Sequence, residues 1–479
     1  MPLLARFNHA CLSAAFALCI TLAQTAQADT LLDIYELALN NDPTLQSAEA
    51  TYLAGDTIRQ QALAVLLPEV RAAFSGSKTD TNAKALRDFG STTSFPSPAQ
   101  TDLEREDYSV TLTQNVFNLS ALFGYKQSKA VARQSLLQYS VAQQALIVRV
   151  AEAYFNALRG ADNLTSSRAE EKAIAQQLEQ TQQRYEVGLI AITDVHEAQA
   201  AYDLAIANRL TEEVNVGIAY EALAAITGQQ HRNLYTLSLD FPIEKPAPTN
   251  EAAWVEYAAQ NNLSIKLAEQ LLEAANQNRN VKIYDAAPTV QAVARYLKSN
   301  SDTDNFYNQT VDGDPARNVS SFNDSEGTSV ELRVELPIFS GGARSAERRQ
   351  ASYERVAEQA NLVATKRRIF QDTRSSYLTT VTDTARVQAR QRAIISAKSA
   401  LEATEAGYDA GTRNIVDLLN AQRDLYRAQR DFANIRYDYV LNSLRLKEAA
   451  GTINVKDISG INEWLRAPGG VSLSNQPSS

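Results

Sequence analysis

The chain has 479 residues, a formal net charge of −9, three histidines, two cysteines and one methionine. An acidic protein of this kind is not expected to bind nucleic acid, because phosphate recognition depends on clustered lysine and arginine. Cys11, Cys19 and Met1 all lie within the segment Met1–Ala28. Once that segment is removed, disulfides, thiolate catalysis and sulfur-ligated metals are excluded.

The segment Met1–Ala28 has the pattern of a secretory signal peptide. Arg6 provides a positive charge, the run from Ala10 to Ala23 is apolar, and Ala26-Gln27-Ala28 fits a small-residue cleavage site. An uncleaved anchor is the weaker interpretation, because the run is too short to span a bilayer. We therefore predict export and a mature chain that begins at Asp29.

The mature sequence predicts the same series of elements twice. Each series has a short helix, a medium helix, two strands, a very long helix and a shorter returning helix. The predicted helices are 31–41, 44–66, 120–186 and 194–226 in the first series, and 251–261, 264–284, 342–409 and 417–450 in the second. Narrow apolar stripes on the long helices favour coiled-coil packing against neighbouring helices.

Alternation of apolar and polar side chains predicts the strands. It is clear at Val330–Ile338 and Tyr108–Val116, weaker at Val70–Phe74, and ambiguous at Val290–Leu297. The predicted surface loops between paired strands are Thr79–Asp107 and Ser299–Gly327. The second loop is rich in aspartate, but its spacing fits no calcium-binding loop.

The similarity between the two halves extends to individual residues. Seven positions recur at one constant offset: Tyr185, Gly188, Ile192, Asp194, Ala198, Gln199 and Ala205 match Tyr408, Gly411, Ile415, Asp417, Ala421, Gln422 and Ala428. A repeat of this length is a duplicated fold rather than a solenoid unit of about 20–50 residues. The two halves are therefore expected to be pseudo-symmetric.

Four strands in one chain are too few to close a membrane barrel. In hydrocarbon every backbone N–H and C=O group must be paired, so an open sheet edge is not tolerated. Closed barrels begin at about eight strands. If these strands lie in a membrane, several copies must close one barrel, as a dimer with eight strands or a trimer with twelve. The sequence leaves this choice open.

The chain resembles the TolC family of bacterial outer-membrane efflux channels over nearly all of its mature length. The resemblance begins at Ala38–Pro43 and is most specific at Tyr185–Gln199 and Tyr408–Gln422. It implies a mixed, mainly α fold built from two tandem repeats. A long α-helical coiled-coil barrel would continue into a transmembrane antiparallel β-barrel, with four strands from each chain of a homotrimer. It also implies an outer-membrane location, with the helical tunnel in the periplasm.

The same resemblance implies a function and partners. The protein would be the passive exit duct of a tripartite efflux pump or type I secretion system. Its partners would be a periplasmic adaptor protein, an inner-membrane pump or ABC exporter, and outer-membrane lipid, with no cofactor and no metal. The implied domains are a signal peptide 1–28, a first repeat 29–240, a second repeat 241–457 and a flexible C-terminal tail 458–479.

Family motifs assign gating links to four residues near the periplasmic tip. Tyr408 and Arg413 would hold the inner coiled coil shut, with Asp194 and Thr193 of the first repeat as their partners. In the simpler alternative, Asp194 caps a helix, which stabilises it by about 1 kcal/mol, and Arg413 is a solvated turn residue.

The resemblance also implies a pore constriction and two docking turns. Asp417 would form a ring of carboxylates, whereas Asn420 departs from the family's second acidic ring, so we expect weaker cation capture. The adaptor-docking turns would be Gly188, Leu189, Gly411 and Thr412. Asp417 could instead cap a helix, and the two glycines most simply permit tight turns.

Two other classes of function compete with a channel, an enzyme and a soluble adaptor or scaffold. The mature chain retains only His196 and His231, and neither lies in a recognisable catalytic motif. A soluble periplasmic coiled-coil adaptor or scaffold would explain the helices. It would not explain the amphipathic strands.

Overall fold

A computed structural model describes residues 28–82, 99–307 and 317–467. All but the last residue of the predicted signal peptide, and the end of the predicted tail, lie outside the described residues. The chain folds into two compact units. Unit one contains the segments up to Thr51, from Leu137 to Lys266 and from Val363 onward. Unit two contains Tyr52–Leu136 and Leu267–Leu362.

The order of elements follows the predicted duplication. The helices are α1 Leu31–Asn41, α2 Pro43–Ala64, α3 Leu119–Glu186, α4 Ile192–Thr227, α5 Glu251–Asn261, α6 Leu263–Tyr284, α7 Ala343–Asp409, α8 Ile415–Ala449 and α9 Val455–Asn462. The strands are β1 Glu69–Asn82, β2 Gln100–Phe117, β3 Thr236–Leu237, β4 Thr289–Tyr307, β5 Arg317–Glu335 and β6 Leu465–Arg466. The predicted mixed, mainly α fold is confirmed.

Matching helices of the two repeats have nearly equal lengths. α1 and α5 have 11 residues each, and α2 and α6 have 22. α3 and α7 have 68 and 67 residues, and α4 and α8 have 36 and 35. No helix within the described residues is long and apolar enough to cross a lipid bilayer.

Unit one has a large apolar core to which α1, α3, α8 and α9 contribute. Tyr154 and Phe155 of α3, together with Leu31 and Ile34 of α1, are among its fully buried side chains. The Tyr154 hydroxyl donates to the carbonyl oxygen of Tyr235 at 2.7 Å, so its burial leaves no polar group without a partner. Removal of these apolar side chains from water stabilises unit one.

The start of the predicted flexible tail is part of this core, and that prediction is wrong for 458–466. α9 begins with a capping box at Asn454 and buries Ile458 and Ile461. Immediately after it, β6 pairs with β3 through Leu465 and Leu237. The segment contains only short apolar stretches, so its order comes from tertiary contacts that local sequence patterns do not reveal.

Unit two contains an antiparallel sheet with the strand order β1-β2-β4-β5. Its registers bring apolar residues into rows across all four strands. The row Val70, Leu112, Ala294 and Val330 is apolar on all four strands; Ala72, Val110 and Tyr296 lie beside Thr328, and Phe74 and Tyr108 lie beside Lys298 and Glu326, where the apolar face ends. Because successive side chains point to opposite faces, these rows form one nearly continuous apolar face.

The same registers resolve the strand that was ambiguous from sequence. Val293 faces Thr113 and Glu331, so it lies on the polar face of the sheet. β1 and β5 each pair along one side only within the described residues. Every residue of these two strands is exposed, and the exposed fraction of Val330 reaches 84%. The sheet therefore has two open edges and an uncovered apolar face.

The predicted loop Ser299–Gly327 is wrong over most of its length, and the predicted loop Thr79–Asp107 is wrong at both of its ends. Strand pairing continues to Asn82 opposite Gln100 and to Tyr307 opposite Arg317. Beyond the apolar face, both faces of the strands carry polar side chains. Alternation of polarity disappears there, although the backbone hydrogen bonds continue.

Candidate functional site

Two turns with the same backbone geometry join the paired helices of unit one. In the turn from α3 to α4, the Gly188 amide donates to the carbonyl oxygen of Tyr185 at 2.8 Å. The Leu189 amide donates to the carbonyl oxygen of Arg184 at 2.9 Å. In the turn from α7 to α8, the amides of Gly411 and Thr412 make the corresponding bonds to Tyr408 and Gly407 at 3.0 and 2.8 Å. Both glycines have positive φ, 76° and 71°. This is the Schellman motif, in which glycine ends a helix in the left-handed conformation.

The helices that leave these turns begin differently, and neither predicted aspartate is the cap. The N-cap of α8 is Asn414, whose side chain accepts from the Asp417 amide at 2.8 Å. The N-cap of α4 is Ala191, which has no capping side chain. Asp194 and Asp417 each lie three positions after the N-cap, in the first helical turn. Their carboxylates therefore interact favourably with the positive end of the helix dipole but do not cap the helix.

An apolar cluster lies beside the two turns and contains residues from both repeats. Its buried members are Ile174, Leu178, Ala198, Ala205, Tyr408, Ile415, Leu418 and Leu419. Tyr408 is 8% exposed, and its buried hydroxyl has no hydrogen-bond partner among the described residues. An unpaired buried hydroxyl is costly, so this tyrosine is the least satisfied group of the cluster.

Within one chain, the four residues of the implied gating links do not bond across the repeats. Arg413 Nη1 lies 3.6 Å from Asp417 Oδ2. The Thr193 hydroxyl donates to Asp194 Oδ1 at 3.4 Å. The aliphatic part of Arg413 packs against Gly407, where an added Cβ would lie 2.8 Å from Cγ of the arginine. Arg413 is thus held against its own turn.

Sequence reasoning missed an ion pair that does cross between the repeats. Arg184, in the last turn of α3, donates from Nη2 to Asp409 Oδ1 at 2.6 Å. The guanidinium also lies over the Tyr408 ring, 5.0 Å from its centroid. The hydrogen bond to Asp409 raises the pKa of Arg184. The available sequence signal was the pair of opposite charges in the last turns of α3 and α7.

The two helix turns differ in chemistry. Val187 and Leu189 of the first turn are 70% and 73% exposed, so this turn presents apolar side chains to its surroundings. The corresponding residues of the second turn, Ala410 and Thr412, are also exposed but are small or polar. The first turn therefore has the more apolar surface of the two.

The two histidines within the described residues differ in burial. His231 is 5% exposed, with Nδ1 2.7 Å from Asp29 Oδ2 and Nε2 2.7 Å from the Thr227 hydroxyl. His196 is exposed on α4. Across the described parts of the chain, no group of three or more histidine, cysteine or acidic side chains could hold a metal ion.

Two tandem helical repeats and a four-stranded sheet with an uncovered apolar face are features of an outer-membrane channel protein. The family model described as "Outer membrane efflux protein" matches residues 34–229 and 254–452. The chain belongs to this family, which includes the TolC proteins. It is an outer-membrane protein of the channel class rather than a periplasmic adaptor.

Relatives of known name cover nearly the whole chain. Outer membrane protein TolC of Vibrio cholerae serotype O1 is 35% identical over 449 residues, 93% of this chain and 96% of that protein. Outer membrane protein TolC of Escherichia coli K12 is 33% identical over 445 residues, 92% and 86%. Alkaline protease secretion protein AprF of Pseudomonas aeruginosa is 28% identical over 446 residues, 92% and 88%.

Solved structures share the fold at lower identity. CusC superposes with a TM-score of 0.72 at 16% identity, covering 88% of this chain and 92% of that chain. The Campylobacter jejuni CmeC outer membrane channel superposes with a TM-score of 0.71 at 18% identity, covering 91% and 89%.

Proposed function

We propose that three copies of the chain form one channel, which is the passive exit duct of an efflux pump or type I secretion system. The observation that carries this proposal is the sheet of unit two, with its apolar face and its open edges at β1 and β5. A membrane sheet cannot keep open edges. β5 of one copy would therefore pair with β1 of the next, and three copies would close twelve strands.

A trimer is preferred to a dimer because of the space that each would enclose. An eight-stranded barrel has an interior that side chains fill, whereas larger barrels enclose a channel. The polar face of this sheet carries long side chains such as Arg71, Arg295 and Arg333. Twelve strands would accommodate them and still leave an aqueous path.

The gate of the proposed channel lies at the two helix turns. Asp417 of three copies would surround the axis and attract cations, because like charges at close range favour a neutralising partner. Asn420 lies one helical turn further along α8 and is uncharged, so it adds no second charged ring. Tyr408 and Arg413 would reach Asp194 and Thr193 of a neighbouring copy. The Arg413 side chain is 61% exposed, which supports this assignment for the arginine.

The proposed partners are a periplasmic adaptor and an inner-membrane pump or ABC exporter. Gly188 and Leu189 of the apolar turn, with Gly411 and Thr412 of the polar turn, would contact the adaptor. The name of the AprF relative refers to protease secretion, and the family description refers to efflux, so both transport routes are supported. The duct itself would perform no catalysis.

Two measurements test this function. The mass of the detergent-purified mature protein should equal three chains, and planar bilayers should show channels with a predominantly low-conductance, closed state. A dimer would contradict the twelve-stranded barrel. A trimer that produces no conductance in bilayers would contradict the channel.

A further inference from the structure

The bond between Arg184 and Asp409 occurs once in each chain, although the helices that carry it occur twice. The position equivalent to Arg184 in the second repeat is Gly407, and the position equivalent to Asp409 in the first repeat is Glu186. The equivalent pair of positions, Glu186 and Gly407, therefore has an acid but no arginine. The bond therefore distinguishes the two repeats at the turns that they otherwise share.

Arg184 is attached to the first turn through its backbone as well. Its carbonyl oxygen accepts from the Leu189 amide at 2.9 Å and closes the Schellman motif. Any movement of Arg184 therefore moves the first turn with it. Its side chain contacts Asp409 and Tyr408, which belong to the end of α7 and adjoin the second turn.

The arginine makes two contacts of different kinds. The hydrogen bond to Asp409 is short, 2.6 Å, and joins two charged groups. The ring of Tyr408 lies beneath the guanidinium at 5.0 Å and is fixed in the apolar cluster. A planar guanidinium can stack on an aromatic ring and donate a hydrogen bond to a carboxylate at the same time. A lysine ammonium has no planar surface to stack on the ring.

We propose that Arg184 is a latch that holds the second helix turn against the first and so keeps the gate closed. This inference rests on the proposed channel function. The side chains of Arg184 and Asp409 are 37% and 58% exposed, so salt should weaken the latch. Three copies would contribute three such bonds, and their effects on one gate would multiply.

Single-channel recording tests the latch directly. Asp409→Asn should raise the fraction of time in the open state about three- to tenfold in low salt, because three weak exposed pairs act together. The difference from wild type should disappear near about 1 M KCl, where the screening length is about 3 Å. The exchanged pair Arg184→Asp with Asp409→Arg should restore part of the closure.

Arg168→Gln is the matched control. Arg168 forms a comparable exposed pair, 3.7 Å from Glu213, but this pair joins α3 to α4 within one repeat. The control should leave the open fraction unchanged. If Arg168→Gln opens the channel as strongly as Asp409→Asn, the effect is general destabilisation and the latch is wrong.

A second measurement does not depend on loss of a charge. The mature chain has no cysteine once the segment Met1–Ala28 is removed, so Arg184→Cys with Asp409→Cys can be joined by a short bis-maleimide. The cross-linked channel should stay closed even when Arg413→Ser is added. If Arg413→Ser opens the channel but neither Asp409→Asn nor the cross-link affects it, the latch is wrong and the proposed gate stands. If wild type forms no channel, both fail.

Discussion

Arg149 of α3 forms an ion pair with the carboxylate of Asp42, the residue between α1 and α2. Asp42 is 2% exposed, and it also accepts the Leu45 amide at 3.1 Å at the start of α2. At the equivalent positions the second repeat has Asn262, which caps α6 in the same way, and Asp372. The second repeat therefore lacks both the buried charge and its arginine.

Removing the arginine alone should destabilise unit one. Arg149→Gln leaves a buried carboxylate without its cation, and we expect a loss of about 2–3 kcal/mol, below the usual range for buried pairs because Arg149 is 35% exposed. Adding Asp42→Asn should recover most of the loss by reproducing the second repeat. Hydrogen exchange at α1 and α2 measures both effects; a double variant no better than Arg149→Gln would contradict this explanation.

The carboxylate of Asp417 should be the cation site of the pore. Multivalent cations should block wild-type conductance, and Asp417→Ala should reduce their affinity by about tenfold or more, because the ring of three charges is removed. Asp203→Ala, which removes an exposed acid of α4, is the control and should be blocked like wild type. Equal block of Asp417→Ala and wild type would place the constriction elsewhere.

Arg413 should be needed for closure, and Tyr408 should act through its hydroxyl. Arg413→Ser with Tyr408→Phe should raise the mean conductance in planar bilayers several-fold, because losing bonds that hold the gate closed shifts the equilibrium toward the open state. Gly407→Ala provides an independent test, because its methyl group displaces the Arg413 side chain. Conductance equal to wild type in both variants would contradict the proposed links.

The first turn should contribute more to adaptor docking than the second. Leu189→Asp places a charge on a contact surface that is now apolar, whereas Thr412→Asp alters a turn that is already polar. Cells with the Leu189→Asp channel as their sole member of this family should accumulate a fluorescent efflux substrate. The exposed Leu239 lies outside both turns, so Leu239→Asp should have no effect. Normal export with Leu189→Asp would exclude the apolar turn from docking.

Glu448 should make stability depend on pH. Burial raises the pKa of this glutamate, Glu152 raises it further, and Arg445 partly opposes both. A raised folded pKa means that the folded state holds the proton longer than the unfolded state, so stability falls as pH rises above the ordinary value of 4.5. Glu448→Gln should therefore stabilise the protein near pH 7 and have no effect below about pH 4. A benefit independent of pH would contradict this explanation.

The elements that sequence predicted well are those with long regular periods. α3 and α7 were predicted to within one residue of their ends, because a helical pattern of this length and a terminal glycine leave little freedom. The parts of β1 and β4 beyond the apolar face were missed because both of their faces are polar. α9 was missed because it is short and depends on α1 for burial.

The residues of the candidate site also divide into those that the sequence predicts and those that it does not. Gly188 and Gly411 were identified as turn residues because only glycine commonly adopts the left-handed conformation. Asp194 and Asp417 were considered as caps, but the N-caps lie three positions earlier, at Ala191 and Asn414. The Arg184 pair depends on which side chains meet across a sequence separation of 225, and no local pattern contains that information.

The contact between α1 and α9 has a consequence for biogenesis. The Leu32 amide of α1 donates to the Asn462 side chain of α9 at 3.3 Å, across 430 positions of sequence. During export α1 must wait for the final segment before its apolar side is fully covered, and contacts of such long range form slowly. A nascent chain interrupted before α9 would expose that surface to chaperones and proteases, so even a stop as late as Asn454 should remove the protein from the cell.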